Sequence, residues 1–124
     1  MVLTVDDDAV YRNVLARALR REGLIVHEAS DGNKARALLE RISPEILITD
    51  ILMPDCDGLE LITAAKRLRS TTRIVAMSGR WRLGRLDLLD LAKRIGADAI
   101  YPKSLDVECL VEIIRQLIKP PTEH

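Results

Sequence analysis

Short apolar runs alternate along the chain with longer stretches whose apolar positions recur at helical spacing. Val2 to Val5 is closed by Asp6, Asp7 and Asp8, and Tyr11, Val14, Leu15, Ala18, Leu19 and Glu22 then follow along one helix face. Gly23 stops that helix as a C-terminal cap would, and Leu24 to Val26 predicts a second strand. Ser30 or Asp31 caps a second helix, which turns Ala35, Leu38, Leu39 and Ile42 inward before Pro44. Ile46, Leu47, Ile48 and Thr49 lack polar alternation, as a central parallel strand covered on both faces would, and stop at Asp50. After a loop through Gly58, a third helix places Leu61, Ile62, Ala65 and Leu68 inward. Ile74 to Met77 predicts a fourth strand, Leu86 to Ile95 a fourth helix closed by Gly96, and Ala99 to Tyr101 a short fifth strand. Val107, Leu110, Val111, Ile114, Leu117 and Ile118 form the apolar face of a fifth helix, ended by Pro120 and Pro121.

Strands alternating with helices in this way give an α/β fold: a parallel sheet with right-handed crossovers and helices on both faces. Ligands in such folds sit beyond the carboxyl ends of the strands. Asp6 and Asp7 end the first strand, Asp50 the third, Ser78 follows the fourth, and Lys103 lies two residues past the fifth, so all fall on that edge. One aspartate at a strand end is an ordinary turn former or helix cap. Three at one edge repel one another and call for a cation. Hard oxygen ligands and an incomplete protein shell suit Mg2+, which commonly completes its octahedron with phosphate oxygens. Asp50, placed centrally, is the candidate nucleophile for an aspartyl phosphate. Lys103 and Ser78 supply a positive charge and a hydroxyl where phosphoryl oxygens need neutralising.

At 124 residues the chain is one domain, read as residues 1–119 with 120–124 as a C-terminal tail or the start of a linker. Nineteen Lys and Arg balance nineteen Asp and Glu, so no basic field exists for direct nucleic-acid binding. Cys56 and Cys109 lack zinc-ligand or disulfide-framework spacing, which fits a reducing, cytoplasmic compartment. No signal peptide or membrane span is expected. Cys109, among apolar positions of the fifth helix, reads as structural, and His27 has no second histidine nearby to share a metal. Gly79 to Arg85 approximates a G-x4-G phosphate loop, but Arg85 and Leu86 stand where Lys and Ser or Thr are required. The Asp55-Cys56-Asp57-Gly58 run is set two residues too far from its strand for a haloacid-dehalogenase-like nucleophile, and neither acidic segment fits a calcium loop.

Val5-Asp6-Asp7-Asp8, Thr49-Asp50-Ile51-Leu52-Met53-Pro54-Asp55-Cys56-Asp57-Gly58, Met77-Ser78-Gly79 and Gly96-Ala97-Asp98 followed by Lys103 together resemble the receiver domain of two-component response regulators, over essentially the whole chain. The resemblance implies a flavodoxin-like, doubly wound (βα)5 sheet in three layers, with strand order 2-1-3-4-5. It implies a switch that catalyses only its own phosphoryl transfer and dephosphorylation, not an enzyme acting on a diffusible substrate. In that likeness Asp6, Asp7, Asp50 and the Leu52 backbone carbonyl hold Mg2+. Asp50 accepts phosphate from a sensor histidine kinase or phosphotransfer protein, Ser78 is the switch hydroxyl and Lys103 the phosphate partner. The readout surface is the fourth helix, fifth strand and fifth helix, acting on an effector domain or output protein, and a homodimer through those helices stays open.

Several positions depart from the family pattern. Ser104 stands where proline usually follows the lysine, so a trans Lys103–Ser104 bond is expected. Ile100 replaces the usual aromatic switch, with Tyr101 next door as a substitute. The segment from Ser78 to Leu86 is lengthened and carries Trp81, a candidate reporter of activation. Leu52 cannot hydrogen-bond an attacking water, which predicts a long-lived phosphate. The competing reading is a degenerate receiver acting as a constitutive interaction module.

Overall fold

A computed structural model describes residues 1–53, 58–79, 82–83, 86–103 and 106–118, with residues 82, 83, 86 and 89 described by their backbone. Its strands are β1 (Val2–Val5), β2 (Val26–Ala29), β3 (Ile46–Asp50), β4 (Arg73–Ser78), β5 (Arg82–Leu83), β6 (Leu86–Asp87) and β7 (Ala99–Pro102). The helices are α1 (Ala9–Arg21), α2 (Gly32–Ile42), α3 (Gly58–Leu68), α4 (Leu88–Ile95) and α5 (Val107–Ile118). Five strands form one parallel sheet in the order β2-β1-β3-β4-β7, the expected 2-1-3-4-5 winding with β7 as its fifth strand. β5 and β6 form a separate two-stranded antiparallel pair ahead of α4. The fourth helix therefore starts at Leu88 rather than Leu86, with Asp87 as its N-cap accepting the Asp90 amide at 3.0 Å.

Alternate residues of each central strand feed opposite sides of the sheet. Leu3, Val5, Leu47, Ile74 and Ala76 pack with Ala35, Leu39, Leu61, Ile62 and Ala92 beneath α2, α3 and α4. Val2, Ile46, Ile48, Val75, Met77 and Tyr101 pack with Leu15, Leu19, Leu110, Val111 and Ile114 beneath α1 and α5. β3 is buried along its whole length, as its unbroken apolar run requires. β2, an edge strand, runs over Val26–Ala29 rather than Leu24 to Val26. Its register against β1 pairs Val2 with Val26, and an edge position tolerates the half-buried His27 and Glu28. Glu28 is held there by Arg12 and Arg20.

Helix ends follow the capping signals. Asp8 accepts the Val10 and Tyr11 amides, both at 3.1 Å, and Asp31 accepts that of Lys34 at 2.8 Å. Gly23 follows the α1 C-cap with φ of +85°, a left-handed conformation that favours glycine. Some expected inward positions lie outside the core. Leu68 in the last turn of α3, Val14 on α1 and Ile118 at the end of α5 are largely exposed. Cys109 is exposed as well, so its reading as a structural core thiol is corrected: it falls between the buried stripe of Leu110, Val111 and Ile114 and solvent. No helix among the described residues is long and apolar enough to cross a membrane.

Candidate functional site

β1 and β3 are neighbours, with Val5 opposite Thr49, so the residues that leave their carboxyl ends emerge side by side. Asp6, Asp7 and Asp50 each place a carboxylate oxygen within 4.8 Å of the others. Asp6 and Asp50 are buried and Asp7 is exposed, which makes the cluster a notch open on one side. Asp8 turns away to cap α1.

Each buried carboxylate is fixed by a local turn. Asp6 Oδ1 accepts the Asp8 amide at 3.0 Å, and Asp50 Oδ1 accepts the Leu52 amide at 3.2 Å. The Oδ2 atoms converge on Lys103, whose Nζ lies 2.6 Å from Asp6 Oδ2 and 3.0 Å from Asp50 Oδ2. Lys103 comes from across the sheet. β7 pairs with β4, and the Lys103 amide donates to the Ser78 carbonyl at 2.9 Å, which anchors the lysine one residue past β7. Sequence spacing had put it two residues past the strand, because Pro102 extends β7. Ser78, buried, ends β4 one residue beyond Met77, the residue that pairs with Asp50.

Burial raises the Asp50 carboxyl above its ordinary range, with Lys103 opposing the shift in part and the nearby Asp6 charge adding to it. Burial also works against the charged form of Lys103, but its ion pair with Asp6 and its attraction to Asp50 outweigh that, and its net shift is upward. The pair therefore keeps its ammonium while the central carboxylate is held at a cost. Behind Lys103 stands the ring of Tyr11, whose centroid is 4.7 Å from Nζ. Burial pushes the Tyr11 phenol up to about 12.

Among the described residues, three carboxylates face one ammonium, leaving surplus negative charge at an edge lined with hard oxygen donors. That donor set fits a divalent cation of the Mg2+ type, which prefers carboxylate oxygens and keeps waters in its shell. Leu52, whose carbonyl was expected as a further ligand, is tied into the same turn by its amide.

Two contributors were not anticipated. Arg12 donates to the Asp6 carbonyl at 2.6 Å and pairs with Glu28, clamping the β1–α1 turn from the neighbouring strand. Asp98 accepts the Ile74 amide and donates its own to the Ile74 carbonyl, both at 2.7 Å, locking the entrance of β7 onto β4. An arginine four residues after Asp8 was the available signal for the first; the second stands in the Gly96-Ala97-Asp98 run that carries the family resemblance, which gave it no structural role. Tyr101, expected as the substitute for an aromatic residue at Ile100, is turned into the core. It is fully buried beneath α5 and donates its hydroxyl to the Asp106 carbonyl, whereas Ile100, on the opposite side of the strand, is 37% exposed. Trp81 and its flanking arginines, Asp55, Cys56, Asp57, Ser104 and the 120–124 tail lie outside the described residues.

Residues 2–115 match the family model of the response regulator receiver domain. The chain is 34% identical over 124 residues to the DNA-binding transcriptional regulator NtrC of Azospirillum brasilense, covering 98% of this chain and 24% of that protein. It spans between 24% and 54% of the length of the first curated relatives it matches. Among solved structures it is similar to a CheY-like response regulator receiver domain from Methanospirillum hungatei, with TM-score 0.84, 28% identity and coverage of 93% of this chain and 90% of that one. It is also similar to the receiver domain of NtrX from Brucella abortus, with TM-score 0.87, 25% identity and coverage of 98% and 100%. With the winding order, the acidic notch and the lysine that closes it already in place, the match over nearly the full length leaves one assignment: the chain belongs to the receiver-domain family of two-component response regulators.

Proposed function

We propose that this receiver domain is a phospho-accepting switch in which Asp50 takes a phosphoryl group from a sensor histidine kinase or phosphotransfer protein. The observation that carries this reading is the convergence of Asp6 Oδ2 and Asp50 Oδ2 on the single ammonium of Lys103, beside Asp7 at the open rim of the sheet. Asp50 is the nucleophile because it is central, with Asp6 and Lys103 both beside it. Asp6, Asp7, Asp50 and the Leu52 carbonyl would hold Mg2+, which supplies charge neutralisation for the incoming phosphoryl oxygens. An Asp50 oxygen attacks phosphorus, the bond from phosphorus to the donor breaks, and the donor leaves with the electron pair. Lys103, already ammonium, stays charged throughout and meets the new phosphoryl oxygens. Ser78 offers its hydroxyl from the adjacent strand end.

Phosphorylation adds roughly two negative charges where one buried carboxylate stood. The β4 and β7 ends that carry Ser78 and Lys103 then gain charge-assisted bonds, and the loops on them re-pack as a population shift. An effector domain or separate output protein would read α4, β7 and α5. Incubation with acetyl phosphate and Mg2+ should give acid-labile labelling at one site, abolished in Asp50→Asn; labelling that persists in that variant would falsify the assignment.

A second reading, a constitutive interaction module, is favoured by one observation: the position of the usual aromatic switch is Ile100, and Tyr101 is committed to Asp106. It predicts equal affinity for a partner with and without beryllofluoride and Mg2+, where the first reading predicts a difference.

A further inference from the structure

Tyr11 supplies a contact to the Lys103 ammonium that is not a carboxylate. The ring lies on the first turn of α1, set by the Asp8 cap that receives the Tyr11 amide at 3.1 Å. It packs against the cluster beneath α1 and α5, and its face is 4.7 Å from Nζ. That is within the range where an ammonium is attracted to the negative face of an aromatic ring. The phenol oxygen is buried beside the Tyr101 side chain, so the ring rather than the hydroxyl is the part of Tyr11 that meets the ammonium.

The other two partners of Lys103 are the Oδ2 atoms of Asp6 and Asp50. Both Oδ1 atoms are already engaged by backbone amides, at 3.0 and 3.2 Å. A divalent cation in the acidic notch would share these carboxylates with the lysine, and it repels the ammonium directly. The ring face is an attraction for which such a cation, preferring oxygen donors, does not compete.

We propose that Tyr11 is a positioning residue for phosphoryl transfer to Asp50: its ring retains the Lys103 ammonium at the pocket when a divalent cation takes over the carboxylates. This inference rests on Asp50 being the phosphoacceptor. It says that the ring, not the hydroxyl, is required, and that the requirement shows when the cation is bound.

The test compares the full chain with Tyr11→Phe and Tyr11→Leu. With 13C-labelled lysine, the Lys103 ε-methylene, assigned through Lys103→Met, should be shifted upfield by the ring in wild type and Tyr11→Phe, and not in Tyr11→Leu. The shift should persist at saturating Mg2+. Labelling by acetyl phosphate at saturating Mg2+ should be slowed roughly 3- to 10-fold in Tyr11→Leu and within about twofold of wild type in Tyr11→Phe. Mg2+ affinity, followed by the Asp7 and Asp8 amide signals, should not weaken in Tyr11→Leu. A general distortion of the pocket would weaken it and would overturn the proposal. Equal labelling of wild type and Tyr11→Leu, or equal slowing of Tyr11→Phe and Tyr11→Leu, overturns it too, as does an unshifted ε-methylene in wild type. Tyr11→Met, apolar and without a ring, repeats the comparison if the leucine variant does not fold. Wild type that shows the ring shift but no labelling at Asp50 refutes the phosphoacceptor reading, and the proposal with it. Wild type that labels normally alongside an insensitive Tyr11→Leu refutes only the role of the ring.

Discussion

Replacing Gly58 with alanine should destabilise the domain and displace the residue proposed to carry phosphate. Gly58 opens α3, and its amide donates to the Ile51 carbonyl at 2.7 Å. A Cβ built on it would lie 2.1 Å from the Asp50 carbonyl oxygen, 2.8 Å from Ile51 Cα and 2.9 Å from the Asp50 carbonyl carbon. All three are backbone atoms at the end of β3, so no side chain can swing aside. Either α3 retreats by roughly 1 Å or the strand end does, and core overpacking of this kind costs about 1–3 kcal/mol. Retreat also lengthens the bond from the Gly58 amide, adding about 1 kcal/mol. A loss of about 2–4 kcal/mol is a large share of the roughly 5–15 kcal/mol that holds a typical domain folded. Gly58 is not one of the positive-φ glycines, so alanine is acceptable to its backbone and the cost is one of space. Gly23 provides the contrast: its φ is +85° and nothing lies within 4 Å of its missing Cβ, so Gly23→Ala should lose about 1 kcal/mol through backbone conformation alone. Urea denaturation of the three proteins measures both losses, and acetyl phosphate labelling should be slowed in Gly58→Ala and unaffected in Gly23→Ala. A Gly58→Ala protein as stable as Gly23→Ala, labelling at the wild-type rate, would refute the reasoning.

Asp98→Ala leaves the Ile74 amide without its carboxylate at the start of β4 and releases Lys66 and Arg73 from their shared partner, 3.5 and 3.8 Å away. A loss of about 1–3 kcal/mol is expected in denaturant, mostly recovered in Asp98→Asn, and a change under about 0.5 kcal/mol would contradict it. Asp50 provides the pH dependence. Its carboxyl is raised by burial above the ordinary aspartate range, so the folded protein binds that proton more tightly than the unfolded chain. The associated stability is fully present below the ordinary carboxylate range and is lost as pH rises through the raised value. Without divalent cations, Asp50→Asn should therefore be more stable than wild type at neutral pH, and the advantage should fade as pH falls towards about 4. Denaturation midpoints of both proteins across that range in chelator check this, and a constant difference would count against it.

The layered α/β architecture was legible because β3 is a run of aliphatic residues with no polar alternation and α1, α2 and α4 each open on a capping aspartate. The parallel winding then put Asp6, Asp7, Asp50, Ser78 and Lys103 on one edge without any knowledge of distances. Element boundaries were harder to read where edges and turns decide. β2 is set by pairing with β1, not by its own apolar content, and the short β5–β6 pair replaces what helical spacing read as the first turn of α4. Contacts at long sequence separation were not legible at all. Asp98 was part of a motif without an assigned contact and serves as a backbone partner of Ile74, and Tyr11 looked like an ordinary member of an amphipathic face. The exposure of Cys109 turns on one residue of helical phase, since its neighbour Leu110 is fully buried.

The acidic notch has to satisfy two conditions with one set of oxygens. In the resting domain, Asp6 and Asp50 are buried carboxylates, and leaving them unpaired would be costly; Lys103 offsets that cost through their Oδ2 atoms. In the phosphoryl transfer proposed above, the same carboxylate oxygens would also serve a cation, and one Asp50 oxygen would meet phosphorus. A lysine bound only through those atoms would lose its hold as the site became competent. Two features answer this. The Lys103 amide is fixed to the Ser78 carbonyl at 2.9 Å, so the backbone does not depend on the carboxylates, and the Tyr11 ring lies behind the ammonium rather than among the oxygens. Lys103 is therefore restrained at both ends by groups outside the acidic set, and in the proposed transfer the oxygens would change partners while the positive charge stays beside Asp50.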